Sequence, residues 1–158
     1  MHLHAWVDDS AVGHVGFVVP SDRSQRHVAQ FETAATINDL FVRDDHRRRG
    51  VGRELMLEAE RVAAERGIRR LALDTGLDEG FAPARALYRA LGWREVPGTL
   101  HILSSAIPAD DGSERVWLEI LVTWRKELDS PELVSPRTAD RPRAERYGGA
   151  PRISSSRR

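Results

Sequence analysis

The feature that most constrains the fold is a change of hydrophobic period at Val51. The first 42 residues have the composition of strands, whereas from Val51 onward apolar residues recur every three or four positions. Between the two regions lies Arg47–Gly52, RRRGVG, which places three arginines and two glycines directly before a helix. The sequence therefore predicts a strand, a short basic loop and a helix in immediate succession.

Three strands are expected before this loop. The segments HLHAWVDD and VGHVGFVV meet around Asp8-Asp9-Ser10 and Gly13, and such a composition is typical of a hairpin. The third strand, Thr33–Val42, is rich in β-branched and apolar residues. A polar loop, PSDRSQRHVAQ, separates it from the second.

Two helices and further strands are expected after the loop. The first helix has Leu55 and Val62 as apolar anchors and Gly67 as its C-terminal cap. A buried strand, RRLALDT, precedes a second helix between Pro83 and Gly92. The segments WREV, TLHILSSAI and VWLEILVTW are further strands. The last of these has an apolar face made of Val116, Leu118, Ile120, Val122 and Trp124. This order of elements predicts an α+β or mixed α/β fold class.

The length of 158 residues leaves room for one domain with a substantial core, which we assign to residues 1–128. Residues 129–158 contain four of the eight prolines, few apolar side chains, and seven arginines against four acids. Because such a segment buries too little surface to offset its chain entropy, we expect a disordered tail.

Charge and composition exclude several classes of function. Acidic and basic residues balance at 24 each, so no net field attracts the chain to nucleic acid or to a membrane. The absence of cysteine excludes disulfides, thiolate metal sites and an acyl-cysteine intermediate, and no metal site is predicted. The N-terminus lacks the pattern of a signal peptide, and no apolar run approaches membrane-spanning length. We therefore expect a cytoplasmic protein.

The loop Arg47–Gly52 has three readings. The first turn of a helix presents unpaired N–H groups, glycines allow close approach, and arginines add charge, so the segment suits a phosphate group. It lacks the spacing of nucleoside-triphosphate loops and of dinucleotide-binding fingerprints. The alternatives are a glycine-capped helix with solvated arginines, or a basic patch for nucleic acid, which no aromatic interleaving supports.

Two motifs together resemble the GCN5-related N-acetyltransferase (GNAT) family. Arg47-x-x-Gly50-x-Gly52 resembles the family's acyl-CoA-binding signature, R/Q-x-x-G-x-G/A. Residues 86–93, ALYRALGW, resemble its later motif, with Trp93 where Phe is usual, and the strand LALDT lies between the two. The resemblance covers about residues 1–126.

The resemblance implies a GNAT-like acyl-CoA N-acyltransferase fold, with a mostly antiparallel sheet flanked by helices and acetyl-CoA as cosubstrate. It implies direct acetyl transfer to a primary amine of a small-molecule or protein acceptor. Backbone groups around Leu40 and Val42 would pair with the pantetheine arm. The pyrophosphate would be bound by the loop residues, of which the motif itself requires only Arg47 among the arginines. The full cofactor-binding set is Leu40, Val42, Arg47, Arg48, Arg49, Gly50, Val51, Gly52 and Arg53.

Tyr88 matches the tyrosine that often serves this family as the general acid for the departing thiolate. The alternative interpretation is that Tyr88 is only a core aromatic residue. Asp39 is our first candidate for the general base, with Asp74 and Glu119 as alternatives, because a carboxylate buried among apolar strand residues would have a raised pKa. The alternative for each of these carboxylates is that it is simply an outward-facing strand residue. We expect His101 to be structural or exposed.

The sequence departs from the family pattern in two places. Phe81 stands where the later motif usually has Asn, which would alter the start of the second helix. The family also has a strand and one or two helices before the first hairpin, which here begins at residue 2. We expect either a missing N-terminal portion, which we favour, or a shortened domain whose exposed sheet edge a partner or homodimer covers. A degenerate acyl-CoA-binding module without turnover is therefore the alternative function.

Overall fold

The computed structural model describes residues 1–18, 34–108, 113–128 and 151–156. Within these ranges the chain forms two compact units, one made of Met1–Leu71 and Glu127–Arg158 and the other of Ala72–Lys126. The elements, in chain order, are β1 (His2–Val7), β2 (Ser10–Val18), β3 (Ala34–Val42), α1 (Val51–Glu65), β4 (Arg70–Gly76), α2 (Ala82–Ala90), β5 (Arg94–Glu95), β6 (His101–Pro108), β7 (Glu114–Glu127) and β8 (Arg152–Ser156). The polar loop expected before the third strand lies outside the described residues.

The first unit is built on the predicted hairpin. β1 and β2 pair antiparallel around Asp8 and Asp9, which both adopt the left-handed conformation that a two-residue hairpin turn requires. β3 pairs antiparallel with β2. Helix α1 covers one face of this sheet and buries five apolar side chains, Val51, Leu55, Met56, Ala59 and Ala63. Val62, one of the two expected anchors, is only partly buried, because Ala59 and Ala63 lie closer to the centre of the buried stripe.

The expectation of a wholly disordered tail is wrong for Arg152–Ser156. These residues form β8, which pairs antiparallel with β1 and sets Ser154 opposite His4. Trp6 Nε1 also donates a hydrogen bond to Ser154 Oγ at 2.9 Å. A strand needs only backbone groups to pair with an open edge, so a composition averaged over 30 residues does not detect it. The edge of β1 that we expected a partner to cover is paired within the chain, whereas residues 129–150 lie outside the described part.

The second unit combines β4, α2 and the β5–β7 strands. β7 pairs with β4 on one side and antiparallel with β5 and β6 on the other. The apolar face predicted for β7 is buried at Val122 and Trp124 only, and its other three members, Val116, Leu118 and Ile120, are exposed. β7 extends over about 46 Å and α2 over about 14 Å, so the helix covers only part of the strand.

The predicted α+β class is confirmed, since a strand-rich chain carries two α-helices in the expected order. Both helices end at glycines in the left-handed conformation, Gly67 and Gly92, as their positions indicated. No helix in the described ranges combines the length and the apolar character needed to cross a membrane.

We predict that deleting residues 151–158 destabilises the first unit. The deletion removes the pairing between β8 and β1 and the Trp6–Ser154 hydrogen bond, so the free energy of unfolding should fall by roughly 1–3 kcal/mol. The exposed edge should also cause concentration-dependent association. Urea denaturation and light scattering measure the two effects. Deletion of residues 157–158 alone, which keeps β8, is the control, and equal stability of the two deletions would contradict the prediction.

Candidate functional site

A β-bulge interrupts β3 where the sequence places the cofactor-binding strand. Asn38 pairs with Gly16 and Phe41 with His14, so Asp39 and Leu40 together face the single residue Val15. Asp39 adopts a left-handed conformation with φ of 51°. A bulge leaves the extra residue outside the ladder, so backbone groups of β3 around Leu40 are released from regular pairing with β2. The sequence signals this feature only weakly, through an Asp that tolerates positive φ.

A glycine of β2 allows α1 to begin close to the sheet. A Cβ atom at Gly13 would lie 2.8 Å from the carbonyl oxygen of Phe41 and 3.2 Å from Cδ1 of Leu55. Any side chain at this position would therefore displace either β3 or the first turns of α1. Sequence reasoning assigned Gly13 to the hairpin and missed this role.

The N-terminus of α1 has no side-chain cap. Gly50 is the N-cap residue, with φ of 86° and no side-chain hydrogen bond, and a Cβ atom there would meet nothing within 4 Å among the described residues. The first backbone hydrogen bond of the helix runs from Glu54 N to Gly50 O, at 3.0 Å. The N–H groups of Val51, Gly52 and Arg53 precede it and have no acceptor within the helix. This end of the helix has the open space and the unpaired donors that a phosphate group requires.

The arginines of the loop differ in what they contact. Arg47, the one that the motif requires, pairs with Asp44 at 2.7 Å and donates from Nε to the carbonyl of Val42 at 3.1 Å. It therefore ties the loop to the end of β3. Arg48 and Arg49 are exposed and form no ion pair with any described residue, and Arg48 has φ of 61°. The exposed guanidinium groups of Arg48 and Arg49 thus lie in the loop directly before the helix N-terminus, while Arg47 stabilises the conformation of the loop.

Arg53 is the last member of the predicted set. Its Nη1 lies 3.3 Å from Glu54 Oε1, and both side chains are about half exposed. An exposed pair of this kind contributes little to stability, so Arg53 can exchange partners at low cost.

Tyr88 is buried in the second unit. It is 6% exposed, and its ring lies 6.3 Å from that of Trp93 and 6.0 Å from that of Trp124. Burial raises the pKa of its phenol to about 12. The hydroxyl group forms no hydrogen bond with the described residues, so it is an unengaged donor that stays protonated at every physiological pH.

The start of α2 shows the effect of Phe81. Phe81 is the N-cap residue, and no side chain caps the helix. Asp78 caps only the preceding 3₁₀ turn, by accepting a hydrogen bond from Gly80 N at 2.8 Å. The departure from the family motif therefore leaves the first turn of α2 without the polar cap that Asn would provide.

The candidate bases lie in different surroundings. Asp39 is exposed on the bulge, so the burial on which its expected activation depended is absent. Asp74 accepts a hydrogen bond from Thr123 Oγ1 at 2.7 Å and lies 3.6 Å from His101 Nε2. Glu119 is half-buried beside Gly76, where a Cβ atom would come within 2.6 Å of its Oε1. The structure thus brings Asp74 and His101 together, a pairing that sequence separation concealed.

Comparison with known proteins gives consistent results. The model of the Acetyltransferase (GNAT) family matches residues 1–93, which include both motifs. The uncharacterized N-acetyltransferase YsnE of Bacillus subtilis (strain 168) is 30% identical over 90 residues, or 57% of this chain and 53% of that protein. The chain thus spans about half the length of this curated relative.

Two solved structures show the same fold. A ribosomal-protein-alanine N-acetyltransferase from Brucella melitensis superposes with a TM-score of 0.57 at 22% identity, covering 80% of this chain and 68% of that one. A putative streptothricin acetyltransferase from Bacillus anthracis, crystallised with acetyl coenzyme A, gives 0.55 at 17% identity, covering 79% and 61%. Together with the family model, which accounts for more than half of the chain, these likenesses confirm the resemblance: the protein belongs to the GNAT acetyltransferase family.

Proposed function

We propose that the protein binds acetyl-CoA through β3, the loop after it and the first turn of α1. The observation that carries this proposal is the uncapped N-terminus of α1 behind a left-handed Gly50 with open space around it. The N–H groups of Val51, Gly52 and Arg53 bind the pyrophosphate, and the positive end of the helix dipole adds to the attraction. The family membership and the acetyl coenzyme A bound to one structural neighbour support the same ligand.

The arginines of the loop and the backbone of β3 have separate roles in binding acetyl-CoA. Arg48 and Arg49 are exposed and supply positive charge to phosphate oxygens, while Arg47 keeps the loop attached to Val42. The bulge in β3 releases the backbone around Leu40, and this backbone together with Val42 pairs with the pantetheine arm. Pairing of this type also polarises the thioester carbonyl, since a positioned donor near an oxyanion contributes roughly 10²–10³ in rate.

The reaction is direct acetyl transfer from the thioester to a primary amine. The chain contains no cysteine, so the acetyl group does not pass through an enzyme thioester. Relatives are named for a ribosomal-protein alanine and for streptothricin, which are protein and small-molecule acceptors respectively. We therefore expect the acceptor to be a primary amine of one of these two classes.

Tyr88 donates its proton to the departing thiolate. Its raised pKa of about 12 keeps the phenol neutral, and its hydroxyl has no competing partner among the described residues. A phenol with this pKa is a weak acid in water. Apolar surroundings disfavour the phenolate anion and the thiolate anion alike, so a thiolate that forms there is a strong enough base to take the proton.

Substitution of Gly50 tests the phosphate site. Gly50→Glu places a carboxylate in the space proposed for the pyrophosphate and forces a side chain into a left-handed conformation, so CoA affinity should fall on the order of 100-fold. Arg48→Ala should weaken binding only about two- to fivefold, because one exposed ion pair is lost. Isothermal titration with CoA measures both.

Gly98→Glu is the matched control, because Gly98 has φ of 76° and equally open surroundings in the other unit. This variant should bind CoA as the wild type does. If Gly50→Glu and Arg48→Ala both bind CoA with unchanged affinity, α1 is not the phosphate site.

Substitution of Tyr88 tests the acid. Tyr88→Phe removes a hydroxyl that has no partner in the described part of the chain, so the fold and CoA affinity should be retained while kcat falls about 10²-fold. Thiol release measured with a thiol reagent reports turnover without background, since the protein has no cysteine. Unchanged turnover would refute the assignment. A wild type that binds acetyl-CoA and acetylates no amine would instead favour the binding module without turnover.

The pKa of Tyr88 predicts an alkaline loss of stability. A phenol with a pKa of about 12 when folded and about 10 when unfolded contributes no pH dependence below about pH 10. Between these values only the unfolded chain loses the proton, so the free energy of unfolding should fall as the pH rises.

The chain has two tyrosines, so Tyr147→Phe isolates Tyr88 for titration by phenolate absorbance. The midpoint should lie near pH 12 in the folded protein and near pH 10 in denaturant. A midpoint near 10 in the folded protein would show that the phenol is not desolvated.

A further inference from the structure

The hairpin formed by β6 and the first half of β7 extends beyond the other strands of the second unit. β6 pairs with β7 along its whole length. On its other side β7 follows β4 only as far as Ile120, whose carbonyl accepts a hydrogen bond from the N–H of Leu77 at 3.0 Å, directly after β4 ends. We call residues 101–108 and 114–120 the arm. In the part of the chain that the structure describes, no third strand pairs with the arm beyond Ile120.

One face of the arm is apolar and exposed. Because side chains alternate along a strand and paired residues share a face, Ile102 and its partner Ile120 point the same way. The next two pairs on this face complete a set of six uncharged residues: Ile102, Ser104, Ala106, Val116, Leu118 and Ile120. Ile102, Val116 and Leu118 are 65–66% exposed, and Ile120 is 49% exposed. A two-stranded hairpin is marginally stable in water, so this arm gains stability when its apolar face is covered.

The size and composition of this face fit a second copy of the chain. Its exposed side chains present on the order of 500 Å² of apolar surface, the size of patches that serve as interaction sites. Two copies would bury roughly 1,000 Å² in total, as weak and reversible protein contacts do. No charged residue lies on the face between Val116 and Ile120, so a partner surface must also lack charge there. The same face of another copy meets this requirement.

The charges at the two ends of the face complement each other. Glu114 is exposed at the tip of the arm. At the other end lies Arg89 of α2, whose guanidinium carbon is 5.2 Å from the centroid of the Trp124 ring, on the same face of β7. Neither Glu114 nor Arg89 forms an ion pair with another described residue. A two-fold axis that crosses the strands at Leu118 reverses the direction of the second arm, so the acidic tip of each copy approaches the basic end of the other.

We propose that the protein forms a weak symmetric dimer in which the apolar faces of two arms pack against each other. Leu118 lies at the two-fold axis, against Leu118 of the other copy. Val116 of each copy packs on Ile120 of the other, and Glu114 of each copy pairs with Arg89 of the other. No residue of this contact belongs to the proposed acetyl-CoA site, so the dimer and the acetyl transfer are tested separately.

Sedimentation velocity of the full chain over a range of concentrations tests the dimer. The wild type should dissociate with a Kd on the order of 10 µM, as a contact of this size does. Leu118→Asp places a carboxylate in both halves of the contact, so the Kd should rise about 100-fold or more. Leu103→Asp is the matched control, because Leu103 is also exposed but lies on the opposite face of the arm, paired with Glu119. This variant should dimerise as the wild type does.

The end charges are tested by exchange. Glu114→Arg and Arg89→Glu should each raise the Kd about three- to tenfold, because like charges then approach each other at both ends of the contact. A chain that carries both substitutions should return to within about twofold of the wild type. Loss of a merely structural role for either residue would not be repaired in this way.

The position of the axis is tested by cross-linking. The chain contains no cysteine, so one introduced thiol reports on one position. Leu118→Cys should give a covalent dimer with a short bismaleimide, because the two copies of residue 118 face each other at the axis. Leu103→Cys should give none under the same conditions, because its side chain points away from the contact.

A wild type that stays monomeric at ten times the expected Kd overturns the proposal, and another segment of the chain or a different protein then covers the face. Equal weakening by Leu118→Asp and Leu103→Asp overturns it too, as does cross-linking through Leu103→Cys instead of Leu118→Cys. Far-UV circular dichroism of each variant verifies the fold, which substitutions at exposed positions should leave unchanged.

Discussion

The close approach of α1 to β2 at Gly13 is the contact on which the candidate cofactor site depends. The missing side chain lets Leu55 and the first turn of the helix lie against the sheet, next to the carbonyl of Phe41. The loop between β3 and α1 is short, so the position of the helix start also fixes Gly50. Packing in the core thus sets the direction of the unpaired N–H groups. The arginines around them add charge to a site that the backbone has already formed.

Backbone conformation, more than side-chain chemistry, builds this site, which explains what the sequence could and could not predict. The strand, loop and helix around Arg47–Gly52 were predictable, because the apolar period changes there and Gly50 suits a left-handed N-cap. The bulge at Asp39 was not, since it follows from the pairing register between β2 and β3, which local sequence does not encode. Nor was the close contact at Gly13, which joins residues that lie far apart along the chain.

The same limit applies to the second unit. The sequence offered Tyr88 as a core aromatic residue and placed Trp124 on the apolar face of β7, and the structure joins the two rings in one cluster. The stripe on β7 was predicted as one apolar face, and its burial ends where α2 no longer covers the strand. β8 escaped prediction because edge pairing depends on an available partner strand and not on the apolar content of the segment. Periodicity therefore identifies elements, whereas the extent of their burial is set by neighbours distant in sequence.

One residue separates two different environments on β7. Trp124, on one face of the strand, contacts the ring of Tyr88, and burial raises the pKa of this phenol to about 12. A buried phenol holds its proton until a strong base forms beside it, which is what the proposed transfer to the thiolate requires. Thr123, on the other face, donates a hydrogen bond to Asp74 within a polar network that also includes His101. The alternation of faces along one strand thus provides an apolar and a polar environment at adjacent positions.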